Sequence, residues 1–286
     1  MAFHLFRIGA ITLAIAFCTF YPFLPGPHDG LSLAVSVMAQ TFGVVGLLLV
    51  PVGALWLTYE LRTRARTERN LATKASCYRF VIASVIALSL VGVAISLSAL
   101  ASAGLSFGLA VTALWTYILL SLVPRLRLQK VAGGAGFNHA PLYLVLIPSA
   151  VLVVQWCLAS PVIEFSRSYA ILHGADLIRD IETYRVAHGR YRESLAALWQ
   201  DYDPSVIGIE RFQYAQQGDA YNLFFEQPSL QFGTREIVMY NKLDEHVMPS
   251  HDTYLLARTP DQLRVGAGWY AVHDAPHPHW KYFWFD

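Results

Sequence analysis

Residues 273–279 read HDAPHPH. His273, His277 and His279 place three imidazoles in one short stretch, with Asp274 between the first two. His246, His251, Asp244, Glu245 and Asp252 lie a little upstream. Neutral imidazole nitrogens together with carboxylate oxygens suit Zn²⁺ or a similar borderline ion. The spacing matches no established metal motif such as HExxH. Pro276 and Pro278 predict an extended loop in which His277 and His279 point the same way. His273, His277 and His279 are therefore the candidate metal ligands, with zinc as the candidate cofactor. The competing reading is an exposed turn that carries its histidines incidentally.

Other chemistry is sparse. The chain has no GxSxG, and its three cysteines, Cys18, Cys77 and Cys157, lie in or beside apolar runs. AGGAG (132–136) is not followed by Lys-Ser/Thr, so it does not read as a phosphate loop. Asp180 and Glu182 form a carboxylate pair with the spacing of a solvated helix face. No catalytic residue is assigned on these grounds.

The elements that must carry these residues follow from composition. Of the 286 residues, 55% are hydrophobic and 14% charged, where about a quarter charged is usual for a soluble domain. Before Ser160 there are ten Lys/Arg and three Asp/Glu, a balance of +7; after it there are eleven and seventeen, a balance of −6. The net charge of +1 thus joins two unlike parts, 1–160 and 161–286. An acidic second part argues against nucleic acid as a partner.

Five apolar runs are long enough to cross a bilayer, near 5–24, 33–58, 80–101, 104–123 and 142–160. The basic residues gather in 60–79 and 124–140, which by the positive-inside bias face the cytoplasm together with the N-terminus and Arg7. Five crossings put the C-terminal part outside. The expected setting is a bacterial inner membrane with an extracytoplasmic, periplasmic domain. Runs 80–101 and 104–123 are separated only by Ser102 and Ala103 and must form a tight helical hairpin.

Inside the runs the polar groups are amides and hydroxyls, such as Gln40, Thr41, Ser84, Thr112 and Gln155. A small-molecule transporter usually keeps ionisable groups there, so that function is the weaker alternative. Gly43, Gly46 and Gly53 predict close helix packing.

After Pro161 the helical period continues. Ala170, Ile171, Gly174, Leu177, Ile178, Ile181 and Tyr184 form one stripe, while Asp176, Arg179, Asp180 and Glu182 lie on the other side. The helix is expected over 162–188, bent at Pro161, with Gly189 as the residue that ends it. Strands are expected at 212–215, 220–226, 234–242, 253–258, 268–274 and 281–286, with a hairpin at Gly218. A long helix over an antiparallel sheet is an α+β arrangement.

Residues 181–198, IETYRVAHGRYRESLAAL, carry Tyr184, Gly189, Tyr191, Leu195 and Leu198 in an order that resembles the headgroups of type IV pilins and type II secretion pseudopilins. The resemblance extends over about 142–226 and is firmest over 176–198. It implies a helix that leaves the membrane and packs on a small antiparallel sheet. It further implies that Tyr191 folds back onto the helix and that a short helix over 193–200 caps the sheet. Arg192 stands where the family has proline, and the prepilin processing motif is missing. The expectation is a pilin-like module joined to a membrane bundle, with a structural or partner-recognition role. Its partners would be the bilayer and an envelope protein. A membrane-anchored, metal-dependent enzyme or sensor using the histidine tail is the alternative.

Overall fold

A computed structural model describes residues 2–68, 78–131, 138–191, 195, 202–217, 219–230, 234–246, 248–249, 255–256 and 270–285. The chain divides into two compact units. The first is Met1–Phe20 with Ala34–Leu158, and the second is Tyr21–Leu33 with Ala159–Asp286. The segment Tyr21–Leu33, counted with the membrane part in the sequence, groups with the C-terminal unit.

The first unit is helical. It contains α1 (Ala2–Phe20), α2 (Ser32–Val45), a 3-10 turn over Gly46–Leu48, α3 (Leu49–Glu68), α4 (Tyr78–Val131) and the first part of α5 (Ala140–His188). Among the described residues four helical stretches are long and apolar enough to cross a membrane: Ala2–Phe23, Ser32–Ala65, Tyr78–Ser121 and Ala140–His188. The expected count was five. The difference lies in α4, whose two helical halves, carrying the runs at 80–101 and 104–123, join at Gly104 with no loop between them.

The break within α4 is Gly104, at φ 82° and ψ −179°, a backbone state open to glycine but costly for other residues. Its consequence is visible in the packing. Gly92 lies against the Trp115 indole, and Gly108 against Leu100. In a straight helix residues 92 and 115 would stand about 34 Å apart, so the chain reverses at Gly104. One glycine achieves the turn, which is why no loop separates the two runs.

Three further glycines of this unit act by lacking a Cβ. Gly43 faces the Gln155 amide, Gly46 faces Pro148, and Gly53 faces Leu144 and Val145. The α2–α3 segment therefore lies backbone-close along α5, in the manner of small-residue packing between apolar helices. Pro51 falls in the first turn of α3, where its missing N–H has no partner to lose.

In the second unit, α5 runs on through Pro161 to His188 as one helix. It lies on a five-stranded antiparallel sheet of order β1-β2-β3-β7-β6. The strands are β1 (Gln213–Gln217), β2 (Ala220–Gln227), β3 (Arg235–Tyr240), β6 (Tyr270–Asp274) and β7 (Trp280–Phe285). Two short strands, β4 (Met248–Pro249) and β5 (Leu255–Leu256), pair separately. Most of the expected strand at 253–258 and the expected short helix at 193–200 lie outside the described residues; Leu195 alone is seen, packed against the core.

Strand residues alternate between faces. On one face Tyr221, Leu223, Phe225, Val238, Tyr240 and Trp280 meet Ala170, Ile171, Leu177 and Ile181 of the helix. Gly174 completes that stripe, with Phe212 and Trp280 closing over it. On the other face Phe224, Met239 and Phe283 form a smaller cluster.

Tyr21–Leu33 is stitched to Ser205–Ile207 and Gly208 by backbone bonds. Gly26 N–H donates to the Ser205 carbonyl (2.9 Å), Asp29 N–H to Ile207 (2.9 Å), Ile207 N–H to Leu24 (3.0 Å) and Gly208 N–H to Pro22 (2.7 Å). Phe23 is fully buried.

Candidate functional site

The histidine tail occupies a closed turn. Ala275 N–H donates to the Trp280 carbonyl (3.0 Å) and Trp280 N–H to that of His277 (3.2 Å). His279 takes a left-handed conformation, φ 63°. The extended loop expected from Pro276 and Pro278 is thus replaced by the β6–β7 hairpin turn, because the chain must reverse to pair the two strands.

The three candidate ligands lie at different points of this hairpin. His273 sits on β6 and stacks on Tyr282, with ring centres 4.9 Å apart. His279 Nδ1 lies 3.2 Å from Asp244 Oδ2. His277 occupies the turn between them. Asp244, Asp274, His277, His279, Trp280 and Lys281 border an open groove of about 460 Å³. Lys281 pairs with Asp274 at 3.2 Å. Among the described residues no three His, Cys, Asp or Glu side chains converge as a metal site would require.

Two turns lock together at this end. Asn241 N–H donates to the His279 carbonyl (3.0 Å), and His246 Nε2 lies 3.2 Å from the same oxygen. Asn241 Nδ2 donates to Asn222 Oδ1 (2.8 Å) and to the Glu245 carbonyl (3.0 Å). His246 is fully buried, and burial pulls its pKa below the ordinary imidazole value. His251 and Asp252 lie outside the described residues.

A second polar cluster, unassigned from sequence, joins the helix to the sheet. Arg167 Nε donates to Glu236 Oε1 at 2.7 Å with both side chains buried. Trp284 Nε1 donates to Glu236 Oε2 (2.7 Å), and the Arg167 guanidinium lies 3.7 Å from the Tyr282 ring centre. Beside them Gln227 Nε2 donates to Ser166 Oγ (3.0 Å). Burial is the leading cause that raises the Tyr282 pKa, with Arg167 opposing it. The register makes Gln227, Glu236 and Trp284 direct neighbours across β2, β3 and β7. A signal did exist in the sequence: Ser166 and Arg167 continue the sheet-facing stripe of Ala170 and Ile171, so a charge there needs a buried partner. Nothing in the spacing names Glu236 as that partner.

The third feature is the corner at the helix end. Gly189 sits at φ 73°, and its N–H donates to the Arg185 carbonyl at 2.8 Å, a left-handed helix stop. Tyr191 is buried; its hydroxyl donates to Glu182 Oε1 (3.1 Å) and accepts from Arg185 Nη1 (2.8 Å). Its ring meets Tyr221 edge to face at 5.0 Å. Lys242 Nζ reaches the other Glu182 oxygen at 2.8 Å. The pair Asp180 and Glu182 is therefore spoken for: Glu182 by Tyr191 and Lys242, Asp180 by the Tyr202 hydroxyl.

Within the first unit, Gln155 Nε2 donates to Thr19 Oγ1 (3.0 Å) and to the Ala39 carbonyl (3.2 Å), while Gln40 Nε2 donates to Ser36 Oγ (3.0 Å). Thr41, Ser84 and Thr112 bond to carbonyls of their own helix. The Gln155 bonds tie α1, α2 and α5 together, a role polar side chains take between apolar helices.

No family model matches the chain, and neither a curated protein nor a solved structure matches it.

Proposed function

We propose that this chain is a multi-pass protein of the bacterial inner membrane that holds out a pilin-like extracytoplasmic domain for a structural or partner-recognition role. The observation that carries the reading is the corner of Gly189 and Tyr191. There a helix stops on a left-handed glycine, the tyrosine two residues on folds back to Glu182 and Arg185, and the helix lies on an antiparallel sheet. That is the arrangement the resemblance implies.

Chain parity supports the side. Tyr21–Leu33 and Ala159–Asp286 share one compact unit, so an even number of crossings separates them. Counting α4 as two crossings about Gly104 gives four between those segments and five in all. With the basic segments 60–79 and 124–140 in the cytoplasm, the domain faces outward. The open groove at the β6–β7 turn and the mixed charges around it suit a protein or peptide partner better than a catalytic role.

The test is a pair of fusions after Asp286: a phosphatase active only outside the cytoplasm, and a fluorescent protein that matures only inside. Phosphatase activity without fluorescence is expected. Fluorescence without phosphatase activity overturns the reading.

A further inference from the structure

His4, in the first turn of α1, and His139, just before α5, stack face to face. Their ring centres are 4.2 Å apart and their planes differ by 9°. Tyr143 closes the group: its ring meets His4 edge to face at 5.8 Å, and its hydroxyl oxygen lies 2.9 Å from His4 Nδ1. One turn deeper Ile8 packs against Ile147 and Val151, so the histidines end a seam that runs along both helices. Both imidazoles are half-buried.

Stacked rings hold their in-plane nitrogen lone pairs in parallel planes, so the two imidazoles do not converge on one metal ion. What they share is a proton balance, since imidazole is the side chain that changes charge near neutral pH. A neutral ring can stack on a neutral or a charged one. Two imidazoliums at this spacing repel, and more strongly as water is excluded. The charged groups that act on His4 are His139, the amino terminus and Arg7. Arg7 stands over the Phe3 ring on the same helix, 4.1 Å from its centre. Tyr143 is the titratable group that α5 adds. None of these is an acid, so none of them offsets a second positive charge. The first turn of α5 works in the same direction. Leu142 N–H donates to the His139 carbonyl (3.1 Å) and Ala140 N–H to Asn138 Oδ1 (3.0 Å), which puts the positive end of the helix dipole beside His139.

We infer that His4 and His139 are a proton-operated clasp, which holds the feet of α1 and α5 together while at most one imidazole is charged and opens when both are. The two rings act as one titrating unit, because the charge on each decides whether the other can stay. α5 is a single helix from Ala140 to His188, so the clasp governs the foot of the same helix whose far end covers the sheet.

The inference goes beyond the proposed function. It does not depend on which side the C-terminal unit faces, so the fusions and the following test fail independently. In the full-length protein with Cys18, Cys77 and Cys157 changed to serine, cysteines at the exposed positions Phe6 and Ala140 carry spin labels. The distance between the labels is measured in nanodiscs, where both faces meet the buffer, from about pH 8 to about pH 5, on either side of the ordinary imidazole value. One short distance is expected at the upper pH. A longer one should appear on acidification and vanish on return, with the closed-to-open ratio falling about tenfold or more. His4→Gln and His139→Gln each leave a single titrating ring, so each variant should keep the short distance across the range. His4→Lys with His139→Lys should show the long distance throughout. A distance that does not change with pH while both histidines are present overturns the inference, and that measurement needs no substitution in the pair. A pH response that survives in either glutamine variant overturns it as well, since the titrating group would then lie elsewhere.

Discussion

Pro25 and Val206, from distant parts of the chain, pair as an antiparallel bridge. Around them the segment Tyr21–Leu33 becomes part of the C-terminal unit and lends it Phe23, which is fully buried. Phe23→Ala should therefore destabilise that unit by about 3–5 kcal/mol, although Phe23 is remote from it in sequence. Limited proteolysis of the full-length protein reads this directly. Faster cleavage within 159–286 is expected, and an unchanged pattern would show that the segment is not part of the unit.

The buried pair Arg167–Glu236 predicts an asymmetry. Arg167→Met strands a carboxylate that, among the described residues, keeps the Trp284 donor, and should cost about 3–5 kcal/mol. Adding Glu236→Leu removes the stranded charge and should recover much of that loss. Thermal unfolding of both variants makes the comparison; a double variant no better than the single would mean the ion pair itself is the stabilising element.

At the helix end, Gly189→Ala puts a side chain on a residue at φ 73° and should cost about 1–2 kcal/mol. Tyr191→Phe keeps the ring against Tyr221 but removes the hydroxyl between Glu182 and Arg185, for about 1 kcal/mol. The two residues share one corner, so the double variant should depart from the sum. Chemical denaturation of the three variants tests this.

The sheet side of the C-terminal unit is rich in tyrosines whose ionisation burial opposes. Tyr202, bonded to Asp180, and Tyr214 are each pushed up to about 12, with burial the first cause for both. Burial likewise raises Tyr191, Tyr221 and Tyr240. The unfolded chain releases these protons near the ordinary value of 10, earlier than the folded one. Stability should then hold below pH 10 and fall as pH rises from 10 towards 12. Ultraviolet titration should show late tyrosinate formation that coincides with unfolding; a normal titration in the folded state would contradict it.

Local signals in the sequence were strong where one element decides its own form. The apolar runs, the stripe from Ala170 to Ile181 and the stop at Gly189 could be read because hydropathy and period act within a single helix. The β1–β2 hairpin and strands β3, β6 and β7 are legible from alternation within each strand. The apolar runs point to a turn at Ser102 and Ala103, two residues before Gly104, since a glycine among small residues does not announce its φ. What could not be read is pairing across the chain. Nothing in Tyr21–Leu33 points to Val206, nothing in Arg167 points to Glu236, and the histidine spacing does not reveal that His273 and His279 end on different elements.

The sheet order β1-β2-β3-β7-β6 has a consequence for biosynthesis. β7 is an interior strand, yet it follows every other strand in the chain. While the ribosome is still making it, β3 has a bare edge and β6 has no neighbour. By then the segment that carries Phe23 has long been made and still lacks its partner. Completion of this domain is therefore a late, all-at-once event, and a chain stalled a few residues short of Trp280 would offer two open strand edges to any protease or chaperone within reach.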